Sequence, residues 1–504
     1  MASFVWSYLF SLLPSLLLLL LSLALRWPSV RCWTRLVVSA AGWRLWVIIC
    51  LILELPLDRN VRTWTKEAGS PGEDVLSGSG QASDCPRLIC KPTALAKHLL
   101  QHCGSLARPR LASWPRGDPH LQTLSSLLCG QHGDTLQFTR DNLLLRDGGI
   151  VALDWAVGTR LSEVGGRKRW EGRKEHQSGG KALGCFTATP PILLLIPESW
   201  GGITPHLKVL CHQAVCQGFY VVVFHARGTA GCPLTTARLT EFGDPADLEQ
   251  AVAYVHSRHP SSVMVAVSEG SGSGTLLSYL GECGSSSCLT AAAAISPVLQ
   301  GQLWFETPMP PIYRWGALFH RKLQLSRGVL NVDRALSCSS LRDFEETLSS
   351  SSAQAYPAKD WDNYWERNEP LREADEVAVP VLCIRSHDDP LLPPASTLPL
   401  HLFQSNPYFF LVLTDRGGHC GFTLEGNWSH IVVLEYFRVV ADFLKGEEKD
   451  GENSQAGQRS RTSNMGPPRR RRANMTRRQR LQPPKESSVD EEEGNFTWRR
   501  SYTR

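Results

Sequence analysis

The stretch from Val263 to Leu277 reads V-M-V-A-V-S-E-G-S-G-S-G-T-L-L. Its first five residues are apolar and mostly β-branched, as in a buried strand, and serines and glycines follow abruptly. The apolar segment Leu276–Leu280 then indicates a helix. The stretch therefore predicts a strand, a tight turn and a helix, with small residues that let the backbone bend sharply at the turn.

A turn of this kind can present a serine hydroxyl for nucleophilic attack, in the pattern G-x-S-x-G. The best match centres on Ser268, with Ala266 two residues before it and Gly270 two residues after it. Ser271 and Ser273 offer rival registers, but only Ser268 has small residues on both sides and directly follows the strand. A glycine-rich turn that does no chemistry is the alternative interpretation.

Two further predicted strands deliver an acid and a histidine downstream. Residues 379–385 form an apolar run that ends just before Asp388 and Asp389, and residues 408–414 form another that ends before His419. The chain order Ser, Asp, His is typical of one class of hydrolase. The pattern predicts Ser268 as the nucleophile and His419 as the base that takes its proton, with an aspartate orienting the imidazole.

Seven short motifs are spread over residues 110–445. They are W-P-R-G-D-P-H-L-Q-T-L from Trp114, D-G-G-I-V-A-L-D-W from Asp147, H-A-R-G from His225, Y-L-G-E from Tyr279, N-Y-W-E-R-N-E-P-L from Asn363, H-D-D-P from His387 and G-G-H-C-G-F from Gly417. Together they resemble the membrane-associated α/β-hydrolase domain family.

This resemblance implies an α/β-hydrolase fold, with a mostly parallel central sheet, flanking helices and a helical cap. It implies Asp389 as the acid of the triad, because Asp389 immediately precedes Pro390. It also implies a substrate class, the carboxylic esters of lipids such as acylglycerols or phospholipids.

Two glutamates occupy the expected oxyanion hole. The predicted strand Ile192–Ile196 leads into Pro197 and Glu198, where the family usually has a glycine that supplies one backbone N–H, and Glu269 should supply the other. A carboxylate roughly 6 Å from the oxyanion, at an effective dielectric constant of about 20, would oppose it by about 3 kcal/mol. A weakly active or inactive scaffold that binds a partner protein and regulates lipid metabolism is therefore the alternative function.

Residues 1–60 form a hydrophobic region that differs from the rest of the chain. Phe4–Leu25 carries no charge over 22 residues and is long enough to span a bilayer. It predicts a signal anchor in an endomembrane, single-pass or as a hairpin with the second apolar stretch, Leu36–Leu57. A cleaved secretory signal, which would release the protein, is the alternative.

The composition of the chain and the spacing of its cysteines limit the remaining predictions. The chain has 504 residues, 42% of them hydrophobic, and a net charge of +5, which favours neither nucleic acid nor an acidic substrate. The 15 cysteines show no metal-binding spacing, so neither a metal nor another cofactor is predicted. Residues 61–109 should form a linker and helical prelude, 110–445 the hydrolase domain with its cap at about 300–371, and 446–504 a disordered charged tail.

Overall fold

A computed structural model describes the hydrolase region and parts of its flanking segments. The described residues are 42, 44–50, 52–53, 86–107, 117–128, 136–157, 189–199, 201–236, 238–325, 333–351, 361–424 and 426–461. Phe4–Leu25, the predicted anchor, lies outside them, as do residues 462–504. Within these ranges, every helix is too short or too polar to cross a membrane.

A nine-stranded sheet forms the centre of the described chain. Its strand order is β1-β9-β8-β7-β6-β4-β5-β3-β2, with parallel pairing from β5 through to β9 and antiparallel pairing for β1–β9, β3–β5 and β2–β3. The predicted α/β-hydrolase fold with a mostly parallel sheet is thereby confirmed. The strands are β1 (Arg87–Ile89), β2 (Gln137–Leu144), β3 (Ile150–Val157), β4 (Ile192–Ile196), β5 (Tyr220–His225), β6 (Met264–Glu269), β7 (Ala291–Ile295), β8 (Val381–Ser386) and β9 (Phe409–Thr414).

Helices cover both faces of this sheet. Leu193 and Leu195 of β4 point into one hydrophobic core, and Leu194 points into the other. Burial on both faces explains why the central strands are continuous apolar runs. The helices are α1 (Ala94–His102), α2 (Gly104–Ala107), α3 (Pro119–Leu128), α4 (Pro205–Cys216), α5 (Ala246–Arg258), α6 (Ser273–Cys283), α7 (Gly301–Glu306), α8 (Pro311–Leu325), α9 (Asp333–Ser337), α10 (Leu341–Ser351), α11 (Trp361–Asn368), α12 (Leu400–Ser405) and α13 (Trp428–Arg461).

Helices α7 to α11 lie in the predicted cap region between β7 and β8. They share a small core of their own, to which Trp304, Phe344 and Tyr364 contribute aromatic rings. The indole nitrogen of Trp304 donates a hydrogen bond to the carbonyl of Leu391, 2.8 Å away, in the loop after β8. The aromatic residues of this region therefore pack the cap together and fix it over the carboxyl ends of the strands.

Two segments differ from the sequence-based expectation. Residues 87–89, expected in the linker and prelude, form strand β1 at the edge of the sheet, and Leu95 and Leu99 of α1 are fully buried in the core. Helix α13 continues to Arg461, beyond the point where the charged tail was expected to begin. Its apolar pattern stops near Leu444, but the following sequence contains Glu, Lys, Gln and Arg residues, which are good helix formers.

Candidate active site

The sharp turn after β6 is centred on a glycine. Ser268 and Glu269 are still paired within the strand, and the turn Gly270–Gly272 connects the strand to α6. Gly270 has φ of +47°, a left-handed conformation that residues with a Cβ avoid. The structure therefore places Ser268 on β6, two residues before the position at which the chain turns, because the strand runs two residues further than the pattern indicated.

The surroundings of Gly270 identify it as the residue at the nucleophile position. A Cβ added to Gly270 would lie 2.9 Å from Nε2 of His419 and 2.6 Å from Oε1 of Glu198. Two residues later, a Cβ on Gly272 would lie 2.1 Å from the carbonyl oxygen of Pro197. The turn from Ser268 to Gly272, called the elbow below, thus keeps small flanking residues in the pattern S-x-G-x-G. Its central residue is a glycine at the position where a serine would face the histidine.

The structure brings Asp389 and His419 together. They follow β8 and β9, whose carboxyl ends adjoin, and His419 Nδ1 lies 2.9 and 3.1 Å from the two carboxylate oxygens of Asp389. Both side chains are almost fully buried. The Thr123 hydroxyl of α3 accepts a hydrogen bond from the backbone N–H of His419, and the Ser126 hydroxyl donates one to its carbonyl. Helix α3 therefore holds the histidine loop in place.

Glu198 occupies the other side of the imidazole. Its Oε1 lies 3.1 Å from Nε2 of His419, and its Oε2 accepts a hydrogen bond from the Ser271 hydroxyl at 3.0 Å. Burial alone would lower the pKa of His419, but the Asp389 carboxylate raises it well above its ordinary value. Each ring nitrogen faces a carboxylate, an arrangement that favours the protonated imidazolium. An imidazolium has no lone pair with which to accept a proton from a nucleophile.

Three serines, Ser268, Ser271 and Ser273, lie at or next to the elbow. Ser268 is fully buried on β6, and its hydroxyl has no hydrogen-bond partner among the described residues. Ser271 is bonded to Ser199 and to Glu198, and the Ser273 hydroxyl accepts from the backbone N–H of Val298 at 2.9 Å. In this arrangement no hydrogen bond joins any of these serines to His419.

The two predicted oxyanion-hole residues have separate surroundings. Glu198 directs its side chain at His419, as described above, whereas Glu269 directs its side chain at His206 of α4, with Oε1 2.7 Å from Nδ1. With Gly270 at the nucleophile position, the following residue is Ser271 rather than Glu269. The placement of Glu269 differs from the predicted one for the same reason as that of Ser268, namely the shift of the turn by two residues.

A cavity of about 410 Å³ lies next to this site, beneath the cap. Its walls combine loop residues after β4 and β5 with side chains of α8 and α10. Arg321 crosses from the cap to contact Glu345 at 2.6 Å and the hydroxyl of Ser199 at 3.3 Å. The volume falls within the range of small-molecule sites. The lining includes Ser199, Arg227, Arg321, Phe344, Glu345 and Leu348.

Sequence comparison places the chain among known proteins. Human Protein ABHD15 is 44% identical over 452 residues, which are 87% of this chain and 89% of the human protein. This chain belongs to the ABHD15 family. Phospholipase ABHD3 of Mus musculus is 27% identical over 360 residues, covering 68% of this chain and 80% of the relative. No family model matches the chain.

Two more distant proteins extend the comparison. The monoacylglycerol lipase of Saccharomyces cerevisiae is 23% identical over 295 residues, or 54% of this chain and 65% of the lipase. Among solved structures, an esterase of Pyrococcus furiosus aligns with a TM-score of 0.37 and 11% identity, over 60% of this chain and 91% of the esterase. For this ABHD15 family member, the fold assignment therefore rests on the sheet order and the sequence relatives.

Proposed function

We propose that this ABHD15 family member binds a lipid ester or a similar acyl ligand beneath its cap without cleaving it, and serves lipid metabolism as a hydrolase-fold scaffold. The observation that carries the proposal is the pair of features at the elbow. Gly270 provides no hydroxyl, and Glu198 occupies the Nε2 side of His419, where a serine would donate its proton.

The ligand class is suggested by the cavity and by the relatives. The cavity has apolar walls from Phe344 and Leu348 and charged groups from Arg321 and Glu345, a combination that suits an acyl chain joined to a polar head. The relatives named above include a phospholipase and a monoacylglycerol lipase. We therefore expect a ligand that resembles the substrates of such enzymes.

The test measures binding and turnover on the same sample. A fluorescent monoacylglycerol analogue and its ether counterpart, which contains no ester, should bind with similar affinity, and the ester should be recovered intact. Leu348→Trp should weaken binding of both by filling the cavity, whereas Leu400→Trp, at a position 38% exposed, should not. Release of fatty acid from the ester by the wild-type protein, but not by His419→Ala, would overturn the proposal.

Hydrolysis through Ser268, His419 and Asp389 is the second candidate. It is favoured by the paired Asp389 and His419, and by the Ser268 hydroxyl, which is buried without a hydrogen-bond partner among the described residues. It requires the end of β6 to unpair, so that the hydroxyl can reach Nε2 in place of Glu198. Labelling of the wild-type protein by a fluorophosphonate, abolished in both Ser268→Ala and His419→Ala, would establish it in place of the scaffold.

Membrane association and a regulatory protein partner are part of the proposal. The uncharged run Phe4–Leu25 supports an anchor in an endomembrane, close to lipid substrates. Retention of the full chain in the membrane pellet after alkaline carbonate treatment would support the anchor, and its release would contradict it. Glycosidase sensitivity of protein made in microsomes would then report the side on which the hydrolase-fold domain lies.

A further inference from the structure

Three buried side chains converge near the end of β6. His206 lies in the first turn of α4, Glu269 is the last residue of β6, and His430 lies in the first turn of α13. All three are almost fully buried. Their ligand atoms lie within 4.8 Å of one another, and they form the one such group in the part of the chain that the structure describes.

The distances fit a shared ion better than an ordinary hydrogen-bond network. His206 Nδ1 lies 2.7 Å from Glu269 Oε1 and 3.3 Å from His430 Nε2. A neutral histidine has one proton and one lone pair, on opposite nitrogens, so Nδ1 cannot both donate to the carboxylate and accept from the second ring. One of these two contacts is therefore left unsatisfied unless a cation is bound between the lone pairs.

We propose that His206, Glu269 and His430 form a binding site for a divalent transition-metal ion, with Zn²⁺ as the preferred ion. Two imidazole nitrogens and one carboxylate oxygen are a common zinc ligand set, completed by a fourth ligand. Ligand atoms about 2.0–2.2 Å from a tetrahedral ion are separated by roughly 3.3 Å, so the observed spacing needs only a small outward movement.

Neighbouring groups orient the ligands as a metal site requires. The Thr204 hydroxyl lies 3.3 Å from the second carboxylate oxygen of Glu269. On His430, Nδ1 lies 3.1 Å from the side-chain amide nitrogen of Asn427. With this amide turned over by 180°, its oxygen accepts the Nδ1 proton and leaves the Nε2 lone pair directed at the site. The amino ends of α4 and α13 carry partial positive charge, a small effect beside the attraction of a dication for Glu269.

The burial of the cluster assigns the ion a structural role. It would join three segments separated by more than 60 residues in sequence and fix the end of β6, where Gly270 begins the turn. Because the site is closed to solvent, the ion would enter during folding or a local opening of the chain. Sequence spacing could not indicate this site, since its ligands come from three distant segments.

The experiment measures metal content and stability of the full chain. Protein purified without added chelator should contain one equivalent of metal by mass spectrometry, and refolding with Zn²⁺ should raise its melting temperature above that of protein refolded with chelator. Protein refolded with Co²⁺ in place of Zn²⁺ should show the visible d–d absorption bands of a cobalt site of low symmetry. Glu269→Gln and His430→Gln should each lose the metal and the spectrum.

Two further variants make the result specific. His212→Gln removes a histidine of α4 that lies outside the cluster and contacts Cys216, so it should retain the metal. Asn427→Ala, which removes only the group that orients His430, should weaken metal affinity by about 10–100-fold. Wild-type protein that folds without metal and shows neither a Zn²⁺-dependent rise in melting temperature nor a cobalt spectrum would overturn the proposal. Loss of the metal in His212→Gln but not in Glu269→Gln would also overturn it, because the ion would then be adventitious.

Discussion

Restoring a nucleophile should require two substitutions together, Glu198→Gly and Gly270→Ser. A serine at position 270 alone would place its Cβ 2.6 Å from Glu198 Oε1, so Gly270→Ser by itself should destabilise the protein and give no activated hydroxyl. Its left-handed backbone adds a cost of about 1–2 kcal/mol. Glu198→Gly alone vacates the space but supplies no hydroxyl.

The magnitudes favour the double variant. The Glu198 carboxylate lies 3.1 Å from His419 Nε2, and at an effective dielectric constant of about 20 it attracts the imidazolium by about 5 kcal/mol. Removing it lets His419 deprotonate more readily. The new Cβ would lie 2.9 Å from Nε2, so the imidazole must move slightly, and the hydroxyl can then rotate into the hydrogen-bond range of about 2.6–3.2 Å.

The assay is covalent labelling by a fluorescent fluorophosphonate, followed by peptide mapping. The double variant should be labelled at position 270, and adding His419→Ala should abolish the label. The wild type and both single variants should remain unlabelled. A double variant that melts within a few degrees of the wild type but stays unlabelled would refute the assignment of Gly270 to the nucleophile position.

Two other predictions concern stability. The raised pKa of His419 means that its stabilisation is fully present below the unfolded histidine pKa of about 6.5 and is lost as pH rises toward the folded pKa. The urea-unfolding free energy should therefore fall by up to about 1.4 kcal/mol per pH unit above pH 6.5, and His419→Gln should flatten that slope; an unchanged slope would contradict the assignment. Asp247→Ala leaves the buried Arg227 with Asp147, 2.8 Å away and partly exposed, as its remaining carboxylate partner, and should cost about 3 kcal/mol by the same measurement. The control Asp141→Ala, whose arginine partner is 55% exposed, should cost less than about 1 kcal/mol, and equal losses would contradict the argument from burial.

The sequence predicted the fold well because its strongest signals are local. The apolar runs of β4, β8 and β9 are buried on both faces, and such strands can be recognised from a few adjacent residues. Local patterns also indicated His419 and an aspartate at 388 or 389, since each follows one of these strands within a few residues, and the family resemblance then implied Asp389. Parallel neighbours then bring the two side chains together at one edge of the sheet.

The position of the turn could not be found in that way. It depends on the close approach of Gly272 to the carbonyl of Pro197, a contact between segments 75 residues apart. A search for a serine between small residues also excludes the glycine that occupies the nucleophile position. The signal that could have identified Gly270 is the evenly spaced S-x-G-x-G, read without requiring a serine at its centre.

Strand β1 has a further consequence for the solubility of the protein. Arg87–Ile89 pairs with Leu411–Leu413 and so covers the outer edge of β9, whose sequence F-F-L-V-L-T contains no charge. An uncovered strand of that composition is a template for pairing with other chains and for aggregation. A fragment that begins at residue 110, or a protease cut between β1 and α1, would expose that edge. The residues ahead of the hydrolase domain thus protect the edge of its last strand from pairing with other chains.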